Sequence, residues 1–280
     1  MAKSIFKKLT AGLICAVMMF TLASCSGSND SKEAGAKPAG LVSKIKESGK
    51  LIVATNPEFA PFEFMTMKDG KSVVTGADIM LAEEIAKDLG VKLEVTNMNF
   101  DGLIESLAAG NCDMVIAGMN PTPKRKEKVN FSDLYYGDSP QVILINKKNV
   151  DKIKTKEDLK GKIVGAQKGT VQEEVVTNEL NGSTLKAITN IPNLLQELKN
   201  GTIDALVLEK PVAEEALKAT GKDLQLAGFE IDIDYSGYAL AIKKGNEDLV
   251  AEVNKTIARV KKEGLFDKFL EESKKLIETK

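Results

Sequence analysis

The strongest constraint on this chain is a change of hydrophobic period, from strand-like to helix-like and back, that occurs twice between Leu51 and Leu208. In the first run Leu51-Ile52-Val53-Ala54 is a short apolar stretch bounded by Gly49 and Asn56-Pro57, which suits a buried strand. Ala77, Leu81, Ile85 and Leu89 then recur every four positions and Gly90 follows as a stop, a helix signature. Val91, Leu93 and Val95 alternate with polar residues, Asp101 opens a helix through Ala109, and Met114 to Ala117 form another apolar strand. The second run places strands at Ile163–Ala166, Leu185–Ile188 and Ile203–Leu208, with helices at Thr170–Leu180 and Asn193–Leu198 between them. Parallel neighbours need a crossover, usually helical, so the pattern predicts an α/β fold of two lobes of about 95 residues each. Beyond them Tyr238–Ile242 read as a strand. Leu249, Val253, Ile257 and Val260, then Leu265, Phe266, Phe269 and Leu270, read as two amphipathic helices. Periodicity alone does not assign that helix pair to either lobe.

The N-terminus follows a different logic. Lys3, Lys7 and Lys8 precede an apolar run from Leu9 to Leu22, broken by Thr10, Gly12 and Thr21 and followed by the small residues Ala23 and Ser24. This is the pattern of a secretory signal over residues 1–24, and it is short for a spanning helix, which needs about 20 apolar residues. Leu22-Ala23-Ser24-Cys25 resembles the lipobox of bacterial lipoproteins. The resemblance implies that Cys25 is lipidated and ties the chain to a membrane surface, since each buried acyl CH₂ contributes about 0.8 kcal/mol. Ser26 to Gly40 offer almost nothing to bury, so residues 25–40 are read as a flexible tether.

Charge and composition exclude several functions. The three lysines of the signal leave 36 of the 39 basic residues, against 40 acidic ones, and this acidic balance argues against general nucleic-acid binding. With Cys15 in the signal and Cys25 lipidated, Cys112 stands alone, so no disulfide framework is available. The absence of histidine removes the usual zinc and copper ligand sets, and no EF-hand spacing is present, so neither metal nor cofactor is expected. A Ser-His pair is missing for the same reason. Gly165-Ala-Gln-Lys-Gly-Thr lacks the Gly-Lys-Ser/Thr ending of a nucleotide-binding loop.

Five segments in order carry a more specific signal: Thr55-Asn56-Pro57-Glu58-Phe59-Ala60-Pro61-Phe62-Glu63-Phe64; Thr75-Gly76-Ala77-Asp78-Ile79; Phe100-Asp101-Gly102-Leu103-Ile104; Ala117-Gly118-Met119-Asn120-Pro121-Thr122-Pro123-Lys124-Arg125, leading to Phe131-Ser132-Asp133; and Gly165-Ala166-Gln167-Lys168-Gly169-Thr170. With them the chain from about Leu41 onward resembles the polar amino-acid-binding proteins of bacterial ABC importers, solute-binding protein family 3. The resemblance implies a two-lobed periplasmic-binding-protein-like fold of type 2, each lobe a mixed sheet flanked by helices. Lobe 1 would comprise residues 41–136 and 237–280 and lobe 2 residues 137–236. A two-stranded hinge would cross near Tyr136–Ser139 and Asp234–Gly237, placing the terminal helices on lobe 1. It further implies a monomeric receptor on the outer face of the cytoplasmic membrane that takes a free L-amino acid into the interlobe cleft and passes it to a permease.

An amino acid presents a carboxylate and an ammonium on one carbon, so its receptor needs a planar cation and nearby acceptors. Taken alone, Arg125 reads as one more surface charge in Lys124–Lys128, and Phe59 and Phe100 read as core. The resemblance instead implies that Arg125 grips the carboxylate and that Phe59 and Phe100 flank the ligand's side chain. Thr170 sits where a strand gives way to a helix, and its hydroxyl with the amide of Val171 would supplement Arg125, because unpaired N–H groups at a helix start favour anions. Capping the helix is the plainer role for Thr170. For the ammonium the resemblance implies Glu209, the Gly118 carbonyl and Asn120, the last standing where many relatives have Ser or Thr. Specificity falls to Asn56, Glu58, Gln167 and Leu208. Asn56 occupies a position where basic-amino-acid receptors often place an aspartate, and Gln167 suits an amide. The expected ligand is therefore glutamine or another polar uncharged amino acid, with arginine or lysine next, should Glu58 compensate. An enzyme is not expected. The alternatives are a sensor built on the same receptor and a dehydratase-type enzyme, for which Glu209 would be the only acid or base at hand.

Overall fold

The computed structural model describes residues 40–137 and 139–278. The signal segment 1–24, Cys25 and the tether up to residue 39 lie outside the described residues.

In chain order the first half contains α1 (Leu41–Ser48), β1 (Lys50–Thr55), β2 (Glu58–Phe59), β3 (Glu63–Lys68), β4 (Lys71–Thr75), α2 (Ala77–Leu89), β5 (Lys92–Asn97), α3 (Leu103–Ala109), β6 (Met114–Val115), α4 (Pro123–Lys128) and β7 (Val129–Phe131). The second half contains β8 (Gln141–Asn146), β9 (Ile163–Gln167), α5 (Val171–Asn178), β10 (Thr184–Ile188), α6 (Ile191–Asn200), β11 (Ala205–Glu209), α7 (Lys210–Thr220) and β12 (Leu224–Ile231). The chain ends with β13 (Ala241–Lys243), α8 (Glu247–Lys262) and α9 (Leu265–Glu278).

Two five-stranded sheets result, in the orders β5-β1-β6-β13-β7 and β10-β9-β11-β8-β12, with a three-stranded flap β2-β3-β4 beside the first. Each is mixed. β1 runs parallel to β5 and β6, and β9 parallel to β10 and β11, as the crossover helices require, whereas β13 and β8 enter antiparallel. This is the two-lobed α/β architecture expected from the sequence. β13 returns to the first sheet after the whole second sheet has been built, and α8 and α9 pack on α2. Where the chain passes between sheets, Tyr136 and Tyr238 form an antiparallel bridge and stack with centroids 5.2 Å apart, while Phe62 meets both rings at 5.0 Å.

The departures from sequence expectation have local causes. Phe100–Gly102 form a 3₁₀ turn, so the helix expected from Asp101 becomes regular only at Leu103. The apolar run Met114–Ala117 pairs as a strand only at Met114 and Val115, because the chain then turns into the cleft at Gly118. Periodicity gives no sign of α1, the flap, α4, β7, β8, α7 or β12, although Val142–Ile145 is an apolar run fully buried in the second sheet.

Candidate functional site

The ends of β1, β6, β9 and β11 converge on the seam between the sheets, where an α/β topology leaves a crevice. A small, tightly closed cavity lies there, lined by Asn56, Phe59, Glu63, Phe100, Ala117, Gly118, Asn120, Gln167, Thr170, Gln172 and Glu209. Eight of these, Asn56, Phe59, Phe100, Gly118, Asn120, Gln167, Thr170 and Glu209, are residues singled out from the sequence.

Glu209 ends β11 with only 1% of its surface exposed. It accepts from the Tyr238 hydroxyl on one oxygen, and from the amides of Asn120 and Gln172, both at 3.4 Å, on the other. Burial pushes its carboxyl up to about 7, and donors from Tyr238, Asn120, Gln141 and Ser139 hold it from going higher. The carboxylate is therefore costly unless a cation arrives. Asn120 gives its side-chain N–H to Glu209 and to the Gly237 carbonyl at 3.2 Å, so in this structure it braces the acid.

Arg125 is 8% exposed but does not line the enclosed cavity; it lines the adjoining outer opening with Phe100, Gly169, Thr170, Glu173 and Glu174. Thr122 caps α4 by accepting from the Arg125 N–H, which fixes the side chain's origin. The guanidinium donates to the Asn120 carbonyl at 2.8 Å and, across the seam, to the Gly169 carbonyl at 3.0 Å, while its carbon stands 5.2 Å above the Phe100 ring. Burial lowers it to about 10, partly offset by Glu174 and Glu209, so it remains a cation at neutral pH. Two of its five N–H donors are used, and the rest remain for an anion.

Thr170 stands at the N-cap position of α5, but its hydroxyl makes no capping bond and donates instead to the Gln167 carbonyl at 2.6 Å, and the neighbouring Gly169 N–H is taken by Glu173 at 2.7 Å. Val171, its side chain buried, follows as the first residue of α5. Gly118 adopts φ +52°, and a β-carbon there would stand 2.5 Å from the Phe59 ring, so glycine is what lets this backbone lie against the aromatic wall.

The specificity positions separate. Gln167 donates to Asn56 Oδ1 at 2.9 Å and to the Thr189 carbonyl at 3.0 Å, and Asn56 donates to the Met98 carbonyl, so these amides bind each other across the seam. Leu208 is core. Glu58 reaches away from the cavity and accepts from the Asn190 side chain at 2.7 Å and from the Ile191 N–H at 3.0 Å, at the start of α6. That contact is a cap on an opposing helix, the favourable place for a carboxylate.

Sequence reasoning missed two polar wall residues. Gln172 donates to Gln141 at 2.7 Å as well as to Glu209, and its only signal was its place beside Thr170. Glu63, 1% exposed, lies inside the first motif segment, between Phe62 and Phe64, but neither the segment nor the strand pattern gives it a role of its own. Its carboxyl lies within hydrogen-bonding reach of Asp78, and burial followed by the charge of Asp78 drives it well above the usual carboxylate range. Asp78 in turn accepts from the Gly118 N–H at 3.0 Å and the Tyr135 hydroxyl at 2.6 Å; burial lifts it to about 6. No group of three or more metal-ligating side chains occurs among the described residues.

Comparison with known proteins gives matches over the whole folded body. The pattern of the family described as bacterial extracellular solute-binding proteins, family 3, matches residues 51–273. The arginine-binding extracellular protein ArtP of Bacillus subtilis (strain 168) is 36% identical over 268 residues, covering 94% of this chain and 96% of that protein. An amino acid ABC transporter substrate-binding protein of Streptococcus pneumoniae Canada MDR_19A, solved with L-arginine, superposes with a TM-score of 0.80 at 39% identity, covering 84% of this chain and 98% of that one. An ancestral arginine-binding protein solved with arginine and with glutamine is 41% identical, with TM-scores of 0.72 and 0.71 and coverage of 80% and 97%.

Proposed function

Because this chain belongs to the bacterial extracellular solute-binding proteins of family 3 and is an amino-acid-binding component of the ABC-transporter kind, we propose that it captures a free L-amino acid in the seam cavity and hands it to a permease, while held to the membrane through lipidated Cys25. The observation that carries this reading is the placement of opposite charges on two adjoining spaces. The cation Arg125 lines the outer opening and the buried acid Glu209 lines the inner cavity, with Phe100 and Thr170 bordering both and Phe59 on the cavity wall. In this reading Arg125, with the Thr170 hydroxyl and the Val171 amide, takes the α-carboxylate, while Glu209, the Gly118 carbonyl and Asn120 take the α-ammonium. The site binds without turnover, and the lobes move about the Tyr136 and Tyr238 strands to admit and release ligand.

For the ligand's side chain, Glu63 changes the balance set by the neutral Asn56 and Gln167. A second buried acid on the cavity favours a cationic amino acid, and arginine is the first candidate. Glutamine is the second reading, because Asn56, Gln167 and Gln172 present amides to the same space.

A thermal-shift screen of the twenty amino acids tests the function, since a ligand that binds only the native state raises Tm in step with its occupancy. Stabilisation by arginine, lysine or glutamine, followed by saturable titration heats, is the expected result. No shift with any amino acid would remove the reading. The anchor is tested separately: Cys25→Ala releases the protein from the membrane fraction without altering its affinity.

A further inference from the structure

Two buried acids side by side form a feature that the recognition of an α-amino acid does not use. Glu63, on β3, and Asp78, in the first turn of α2, are 1% and 0% exposed. Asp78 spends one oxygen on the Gly118 N–H and the Tyr135 hydroxyl. Its other oxygen, Oδ1, and Glu63 Oε2 each lack a donor, although the two carboxyls are within hydrogen-bonding reach. Two carboxylates cannot share such a site ionised, and a single proton on one satisfies both orphan oxygens at once. The titratable groups facing the pair are Glu209 at the end of β11 and the phenol of Tyr135, with Tyr238 beside both Glu209 and Tyr135 and the Arg125 guanidinium bonded to the Asn120 carbonyl. Glu63 alone of the two lines the cavity.

Resting on the reading of the cavity as an amino-acid site, we propose that Glu63 and Asp78 hold one proton between them and that a cationic ligand side chain expels it, whereas a neutral side chain leaves it in place. In the step the Glu63 O–H bond breaks, its electron pair stays on the carboxylate, and the proton passes to bulk buffer. The charge of the filled cavity is then the same whether the ligand arrives neutral with the proton retained or cationic with the proton released. A single pocket can therefore hold cationic and uncharged amino acids without changing its net buried charge, a change that is otherwise expensive. Burial and the neighbouring charge of Asp78 both push the Glu63 carboxyl well above the usual carboxylate range, in the direction that favours retention of the shared proton.

The test is calorimetric titration with L-arginine and L-glutamine at pH 7 in phosphate and in Tris, whose different ionisation heats count the protons released. Any proton lost by Glu209 is common to both ligands and cancels in the difference. Arginine is expected to release about one proton more than glutamine, and Glu63→Gln to remove that excess and weaken arginine more than glutamine. If Glu63→Gln does not fold, the pH dependence of the native protein's arginine affinity decides: a tenfold gain per pH unit above that for glutamine supports the proposal and parallel slopes overturn it. Equal proton counts, or binding of glutamine with rejection of arginine and lysine, overturn the proposal while leaving an amino-acid receptor. Absence of binding by any amino acid removes the functional reading itself.

Discussion

The seam between the lobes has an outer and an inner half, joined by similar kinds of bond in different surroundings. On the outer side Lys168 and Asp101 form an ion pair at 3.1 Å with side chains 56% and 26% exposed, and Glu58 caps α6 from half-buried ground. On the inner side Glu209, Glu63 and Asp78 are at most 1% exposed; Glu209 relies on Tyr238 and side-chain amides, Asp78 on Tyr135 and the Gly118 N–H, and Glu63 Oε2 has no donor. Solvent screens the first group, so each contact holds the lobes weakly and reversibly. Desolvation raises the stakes of the second, so the cavity is unfavourable to its own charges until a ligand supplies the missing partner. Arg125 stands at the boundary, bonded to a carbonyl on either side.

The comparison breaks most visibly at that boundary. Arg125→Ala removes one partner of a desolvated charge pair and is expected to cost about 2–5 kcal/mol of binding, roughly thirty- to several-thousand-fold in Kd. An unaltered circular dichroism spectrum would show that the loss is one of recognition. An unchanged Kd would mean that the carboxylate is held elsewhere.

The inner half is probed next by pH. Glu209 and Asp78 sit at about 7 and about 6 in the folded protein, above the ordinary carboxylate range, so the native state binds more protons than the unfolded chain in that window. Their contribution to stability is fully present below about pH 4 and is lost as pH rises through 6 and 7. Without amino acid, Tm is therefore expected to fall by several degrees between pH 5 and 8, at about 2–4 °C per kcal/mol for a domain of this size. Glu209→Gln should flatten much of that slope and also weaken the ligand by at least tenfold. A Tm that instead rose over this window would contradict the burial argument.

Glu58 sharpens the line between latch and pocket. Glu58→Ala strips the Ile191 N–H and the Asn190 amide of their acceptor, a loss comparable to a helix cap, about 0.5–2 kcal/mol. Every amino acid should weaken by a similar factor, so the ratio of arginine to glutamine affinities stays fixed. A changed ratio would return Glu58 to the specificity set.

How much of this was legible beforehand depended on the kind of signal. The helix periods of α2 and α8 and the strand runs of β1 and β9 are properties of single segments, and they were read. The flap and the antiparallel entry of β8 and β13 depend on partners far away in sequence, which periodicity does not carry. At the site, the motif segments contain seven of the eight cavity residues singled out, Glu209 being assigned from its place at the end of the strand Ile203–Leu208, and strand ends explain why those positions converge. Glu63 escaped because an acid in an apolar strand becomes informative only when its neighbour proves to be Asp78, on another element. Glu58 falls among the specificity positions through the family resemblance, yet in β2 it alternates with Phe59, which lines the cavity, and Glu58 faces α6.

The smallest expected effect tests the outer half alone. Lys168 follows β9 and meets Asp101 across the seam, and its neighbour Gly169 packs its backbone against the Asp101 β-carbon, so the pair marks the rim where the lobes part. An exposed pair of this kind is worth about 0–1 kcal/mol, and salt weakens it as the Debye length shrinks from about 30 Å at 0.01 M toward about 3 Å at 1 M. Lys168→Ala should thus speed ligand dissociation by no more than about fivefold at low ionic strength, and the difference should vanish near 0.5 M NaCl. Stopped-flow dissociation at two salt concentrations gives the measurement. A tenfold or salt-resistant effect would mean that the rim is as desolvated as the interior, and the division of the seam into a screened latch and an unscreened pocket would fail.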